Sequence, residues 1–233
     1  MSDICLETEM RYKLDHRLKH HVNDSTRLQY KNTLTSDINT IAVISIAVPD
    51  KIKDKNSDAW QYVFYLPLTA QSWLRFGYHV SIHIVFDSES IDVHAMKLLE
   101  SVLEALLELP SLSIYYIDVR SNFKIRLSQI LRIYAAHIGS FSDDSFIVLS
   151  DSDLWPIQKS RLELNQNQNM LITNSACCGT FEFESKTYQH FAMAHNGMRV
   201  SDWIKLFQLS FDKNGAIPKS LAQLPFLIKS GPF

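Results

Sequence analysis

The chain has 233 residues, of which 46% are hydrophobic and 21% are charged, the mixture expected of a globular protein with a sizeable core. Its net charge of −2 supplies no basic field for nucleic acid, and no apolar run reaches the roughly 18 residues of a membrane span. The three cysteines, Cys5, Cys177 and Cys178, are too few for a disulfide framework, and the adjacent pair Cys177 and Cys178 is interpreted as packing residues.

Residues 1–40 are polar and interrupted, and they predict an N-terminal extension or stem ahead of a globular domain over 41–233. His16 and His20 are four residues apart, a spacing that can hold a metal on a helix. A solvated, partly helical tail explains the same residues and is the favoured interpretation.

From residue 41 the hydrophobic pattern predicts alternating strands and helices. The apolar run over 41–48 predicts a strand buried on both faces, and helical spacing over 60–76 predicts a helix that Pro67 kinks or restarts. Residues 87–90 are interpreted as a turn and helix cap. The remaining predicted elements are a strand over 78–86, a helix over 91–109, a strand over 112–118, a helix over 124–138 and a strand over 146–149.

This β-α-β-α-β-α-β order is typical of the α/β class, with a doubly wound and mostly parallel sheet flanked by helices. Short apolar pieces and turns over 171–205 predict antiparallel additions to that sheet. Ligands of such folds bind beyond the carboxyl ends of the strands.

Two aspartates, Asp151 and Asp153, directly follow the predicted strand over 146–149. Carboxylates suit Mn²⁺ or Mg²⁺, and such a cation can stabilise the charge that a nucleoside diphosphate gains as it leaves. From the residues alone, the aspartates could equally be turn or cap residues. An aspartate-nucleophile phosphatase or phosphotransferase is a further alternative, which the continuation Leu154-Trp155-Pro156 disfavours because it lacks the usual threonine.

The apolar strand that runs into Asp-Ser-Asp-Leu-Trp-Pro over 146–156 resembles the DxD loop of GT-A glycosyltransferases. The segments 66–77, 128–132 and 196–203 are similar to pieces of that family, the first of them to a poorly characterised DxD-containing subgroup. The resemblance covers about 41–205. It implies a GT-A-like fold and transfer of a sugar from a nucleotide diphosphate donor, with a UDP-sugar favoured. The acceptor would be a hydroxyl of a carbohydrate or glycoconjugate, and the cofactor Mn²⁺ or Mg²⁺.

The resemblance also implies roles for individual residues. Asp151 and Asp153 would hold the metal, and Ser152 would lie near the ribose. The other residues that it implies for nucleotide-sugar binding are Ala47, Val48, Pro49, Ser128, Arg132, His195 and Asn196. A solvated or ion-paired Arg132 and a structural, hydrogen-bonded His195 are the corresponding non-functional interpretations.

The pattern departs from the family late in the chain. No histidine follows His195, although many of these enzymes complete the metal site with one, and the nearest late carboxylates for a catalytic base are Asp202 and Asp212. We therefore expect the C-terminal part of the domain to be missing or divergent. A catalytically inactive domain that binds nucleotide-sugar or a protein partner is the second hypothesis, and a phosphatase or nucleotidyltransferase the third. We expect the Golgi lumen as the location if an upstream membrane anchor is missing from this chain, and the cytoplasm otherwise.

Overall fold

A computed structural model of the chain describes residues 27–30, 39–52, 59–118, 124–138, 141–165, 168–173, 179–189 and 195–207. The strands are β1 Arg27–Tyr30, β2 Thr40–Ala47, β3 His79–Phe86, β4 Leu112–Asp118, β5 Phe146–Ser150, β6 Met170–Ile172, β7 Thr180–Phe183, β8 Lys186–Gln189 and β9 Asn196–Arg199. The α-helices are α1 Ala59–Leu74, α2 Val93–Leu107, α3 Lys124–Ile133, α4 Ala135–Ile138 and α5 Val200–Phe207. A 3₁₀ turn spans Lys159–Arg161.

Seven strands form one sheet in the order β1-β4-β3-β2-β5-β9-β6. The four central strands, β4, β3, β2 and β5, are parallel to one another, whereas β1 and β9 pair antiparallel with β4 and β5. Strand β6 pairs antiparallel with β9. The predicted fold class is thereby confirmed: a mostly parallel sheet with helices on both faces and antiparallel additions after the DxD loop.

The apolar run in β2 is continuous because both faces of this strand are covered. Ala42, Ile44 and Ile46 belong to a core built with α1 and α2, whereas Ile41 and Val43 belong to a second core. Residues of β5, β9, α4 and α5 complete that second core. Side chains alternate between the faces of a strand, so a strand between two helical layers needs apolar residues at nearly every position.

The helices differ from their predicted limits in three places. Helix α1 runs through Pro67 as one element, so the predicted restart is wrong. Helix α2 begins after Asp92, whose carboxylate accepts from the Ala95 amide at 2.7 Å, and the predicted cap within 87–90 is therefore misplaced. The helix predicted over 124–138 is divided at Tyr134, whose amide donates to the Leu131 carbonyl three residues back rather than four.

Some predictions fall on other parts of the chain. Strand β1 lies within the predicted polar extension and adds an antiparallel strand at the edge formed by β4, a pairing that the sequence did not suggest. None of the helices in the described part of the chain is long and apolar enough to cross a membrane. Six residues named above from the sequence lie outside the described residues: Cys5, His16, His20, Cys177, Cys178 and Asp212.

Candidate functional site

The sheet has a topological switch point between β2 and β5. These strands are parallel neighbours in register from Thr40–Phe146 to Ile44–Ser150, and the chain continues from β2 towards β3 but from β5 towards β9, on the other side. Doubly wound sheets bind ligands in the crevice that opens where the strand order reverses. A cleft of about 390 Å³ lies at this point. The described residues that line it are Ser45, Ile46, Ala47, Ala59, Tyr62, Ile125, Ser128, Gln129, Arg132, Asp151, Ser152 and Asp153.

The DxD segment forms a tight bend as the chain leaves β5. The Leu154 amide donates to the Asp151 carbonyl at 3.4 Å, which closes a turn with Ser152 and Asp153 at its centre. The Ser152 residue is buried, whereas Asp153 is exposed and Asp151 is partly exposed. Both carboxylates are thus at the cleft, and the residue between them ties the bend to the protein interior.

Helix α1 fixes this bend through Thr69, which is fully buried. The Thr69 hydroxyl donates to the Ser152 carbonyl, and the indole nitrogen of Trp155 donates to the same hydroxyl at 2.9 Å. One turn further along α1, Trp73 donates to the Ser150 hydroxyl at 3.1 Å. We call the contacts of Thr69 with Ser152 and Trp155 the Thr69 bridge.

On the opposite face of the sheet, α3 contributes the positive charge of the site. Arg132 is 6% exposed, and its guanidinium forms an ion pair with one carboxylate oxygen of Asp151. Its Nε atom is buried and has no hydrogen-bond partner within the described part of the chain, and the same holds for the Ser45 hydroxyl near the end of β2. Ser128, one turn before Arg132, donates to the Ile125 carbonyl at 2.8 Å. Unsatisfied buried donors beside a cleft are candidates for ligand contacts.

The charge of the cleft determines which ligands suit it. Among its described lining residues, one arginine stands against two aspartates, which gives a net charge of −1. A diphosphate alone would be repelled by this balance, whereas a diphosphate that carries a divalent cation would not. Within the described residues, no group of three or more histidine, cysteine, aspartate or glutamate side chains could hold a metal. Two carboxylates suit Mg²⁺ or Mn²⁺, which share their coordination with phosphate and water.

His195 and Asn196 lie at the start of β9, beside the end of β5, but they are not among the residues that line the cleft. The His195 amide donates to the Leu149 carbonyl at 2.6 Å, and its ring meets Trp73 edge-on at 5.5 Å. Burial lowers the pKa of His195, against the opposing effects of Asp151 and the Leu154 backbone.

The structure does not bring every predicted site residue to the cleft. Ala47 lines it, whereas Val48 and Pro49 continue from β2 outside its lining. Asp202 lies in the first turn of α5, where the neighbouring Val200 amide donates to the Ser145 carbonyl at 2.9 Å. Ser145 precedes β5 and Asp151 follows it. Asp202 therefore lies near the amino end of β5, whereas the aspartate pair lies at its carboxyl end.

The structure adds polar residues that sequence reasoning did not assign to the site, among them Ser45 in the cleft lining and Thr69 behind the bend. A serine within the otherwise apolar strand β2 was a signal, because polar residues in buried strands require a partner. The role of Thr69 had no local signal, since its contacts are 83 and 86 residues away in the chain.

No family model and no curated protein matches this chain. The chain is similar to one solved structure, the crystal structure of 4-diphosphocytidyl-2C-methyl-D-erythritol synthase, with a TM-score of 0.37 and 11% sequence identity. That similarity covers 83% of this chain and 100% of the other. At this level neither activity nor site residues are carried over, and the fold class rests on the strand order described above.

Proposed function

We propose that this chain is a metal-dependent glycosyltransferase of the GT-A type. It would move a sugar from a nucleotide diphosphate donor, with a UDP-sugar favoured, to a hydroxyl of a carbohydrate or glycoconjugate. One observation carries the proposal: Asp151, Asp153 and Arg132 meet in the cleft at the switch point between β2 and β5. This is the position where a doubly wound sheet binds its ligand, and its residues suit a diphosphate accompanied by a divalent cation.

In this proposal, the residues of the chain bind and orient the donor. Asp151 and Asp153 would hold the cation that accompanies the diphosphate. Arg132 pairs with a phosphate oxygen, and Ser152 lies near the ribose. Ala47, the last residue of β2, faces the base of the nucleotide donor. A bound Mn²⁺ or Mg²⁺ supplies the charge that stabilises the departing diphosphate.

Calorimetric titration of UDP in the presence of Mn²⁺ tests this assignment. We expect Asp151→Asn and Asp153→Asn each to weaken binding at least about tenfold, since even the loss of an outer-shell partner costs roughly 10- to 100-fold in metal affinity. The matched control is Asp144→Asn, which neutralises an exposed aspartate before β5 and should bind as the unaltered protein does. Equal binding by Asp153→Asn and the unaltered protein, or no binding by either, would contradict the proposal.

A catalytically inactive domain of the same type is the second candidate. Two observations favour it. The described residues provide no third metal-binding side chain beside Asp151 and Asp153, and Asp202 lies near the other end of β5. Incubation with UDP-glucose, UDP-galactose and UDP-N-acetylglucosamine distinguishes the two candidates. Release of UDP in the presence of Mn²⁺ supports the enzyme, whereas tight UDP binding without release supports the inactive domain.

A further inference from the structure

The ion pair between Arg132 and Asp151 has a consequence for how ligands enter the cleft. Arg132 already occupies one oxygen of Asp151, while Asp153 has no ion-pair partner among the residues that the structure describes. The guanidinium is almost completely buried, so Arg132 needs an anion beside it at all times. Its buried Nε atom, to which no described residue offers an acceptor, is a donor still available to a ligand.

Neither a cation nor a diphosphate suits this arrangement alone. If Asp151 turned to a cation without any other change, Arg132 would be left buried and unpaired, which is strongly unfavourable. If a diphosphate entered without a cation, it would meet a cleft whose described lining residues carry a net charge of −1. When both enter together, Arg132 can exchange the carboxylate for a phosphate oxygen and remain paired.

We propose, on the basis of the function proposed above, that Arg132 couples the two binding events. Arg132 holds Asp151 in the free protein and releases it only when a diphosphate becomes its new partner. Arg132 is in this sense a positioning residue for Asp151. Cation affinity and UDP affinity then depend on each other, and linkage requires each ligand to change the affinity of the other by the same factor.

The test measures Mn²⁺ binding by the electron paramagnetic resonance signal of free Mn²⁺, with and without saturating UDP, after correction for the Mn²⁺ that the same UDP complexes in the absence of protein. We expect UDP to tighten Mn²⁺ binding by about 5- to 150-fold, the usual range of such coupling. Titration of UDP with and without Mn²⁺ should return the same factor. Neither measurement depends on turnover.

Two variants locate the coupling in Arg132. We expect Arg132→Met to bind Mn²⁺ alone more tightly than the unaltered protein, because Asp151 is no longer occupied, and to lose most of the coupling. Arg132→Lys, which keeps the charge without the planar fork, should retain part of it. The matched control is Arg126→Met, which removes an exposed arginine of the same helix outside the cleft lining and should keep the full coupling.

The outcomes separate this inference from the proposed function. Unchanged coupling in Arg132→Met and Arg132→Lys overturns the inference and leaves the proposed function standing. Binding of Mn²⁺ and UDP with no mutual effect in the unaltered protein overturns both, because the proposed function has the cation bind together with the diphosphate. No binding of UDP at any Mn²⁺ concentration overturns both. If Arg132→Met does not fold by circular dichroism, Arg132→Lys and the unaltered protein still decide the result.

Discussion

The Thr69 bridge provides the sharpest test of how the DxD bend is held. Thr69→Val keeps the shape of the side chain but removes the hydroxyl that contacts Ser152 and Trp155. The Ser152 carbonyl lies in a buried residue and would lose this partner, whereas Trp155 is 48% exposed and its indole nitrogen can turn to water. An orphaned buried acceptor costs about 1–3 kcal/mol of unfolding free energy.

For a chain of this size, each kcal/mol changes the melting temperature by about 2–4 °C, so Thr69→Val should lower it by about 2–12 °C. Because the bend carries both aspartates, UDP affinity in Mn²⁺ should fall as well. Thermal unfolding and calorimetry measure the two effects. Two control variants should behave nearly as the unaltered protein does. Thr69→Ser keeps the hydroxyl, and Ser72→Ala removes a neighbouring hydroxyl that donates to the Thr69 carbonyl and takes no part in the Thr69 bridge. A Thr69→Val protein with unchanged melting temperature and UDP affinity would refute the bridge.

Two further predictions concern the sheet. Gly197→Ala places a Cβ atom 2.6 Å from the Phe146 ring and 3.0 Å from the Ile147 carbonyl oxygen. We expect this crowding to reduce the free energy of unfolding, measured in urea, by about 1–3 kcal/mol. An unchanged free energy of unfolding would show that β5 and β9 can separate. Burial lowers the pKa of His79 from 6.5 to about 4, so between these values the unfolded chain binds a proton that the folded chain does not. Stability should therefore fall by up to about 3 kcal/mol as the pH drops from 6.5 to 4, and His79→Gln should flatten that slope in urea unfolding. An identical slope in the variant would assign the pH dependence to other groups.

The central fold was predictable because its signals are local. The strands at Thr40–Ala47, His79–Phe86 and Leu112–Asp118 are buried on both faces, and such strands appear in the sequence as apolar runs. Helix limits were less predictable, because Asp87 and Asp92 are both cap-forming residues and only their contacts distinguish them. The Asp87 carboxylate accepts from Glu89 and Ser90 within its own turn, whereas Asp92 caps α2.

The candidate site was predictable in part for the same reason. Asp151 and Asp153 were predicted from the DxD motif and Arg132 from the resemblance to the family, and an ion-paired Arg132 was one of the alternative interpretations. The position of Asp202 could not be predicted from the sequence, because it depends on how α5 packs beside the start of β5. The pairing of β1 with β4 joins segments more than 80 residues apart, and no local pattern specifies such a pairing.

The two walls of the cleft belong to separate hydrophobic cores. Ala59 and Tyr62 lie on α1, which packs into the core with α2, whereas Ser128 and Arg132 lie on α3, across the sheet. Substitutions at sites without shared partners tend to act independently. Substitutions at Ala59 and Tyr62, which take no part in the Thr69 bridge, can therefore change the shape of the cleft while Arg132 and Asp151 keep their ion pair. In the function proposed above, such a division would let the same scaffold accept new donors without rebuilding the residues proposed to bind the diphosphate.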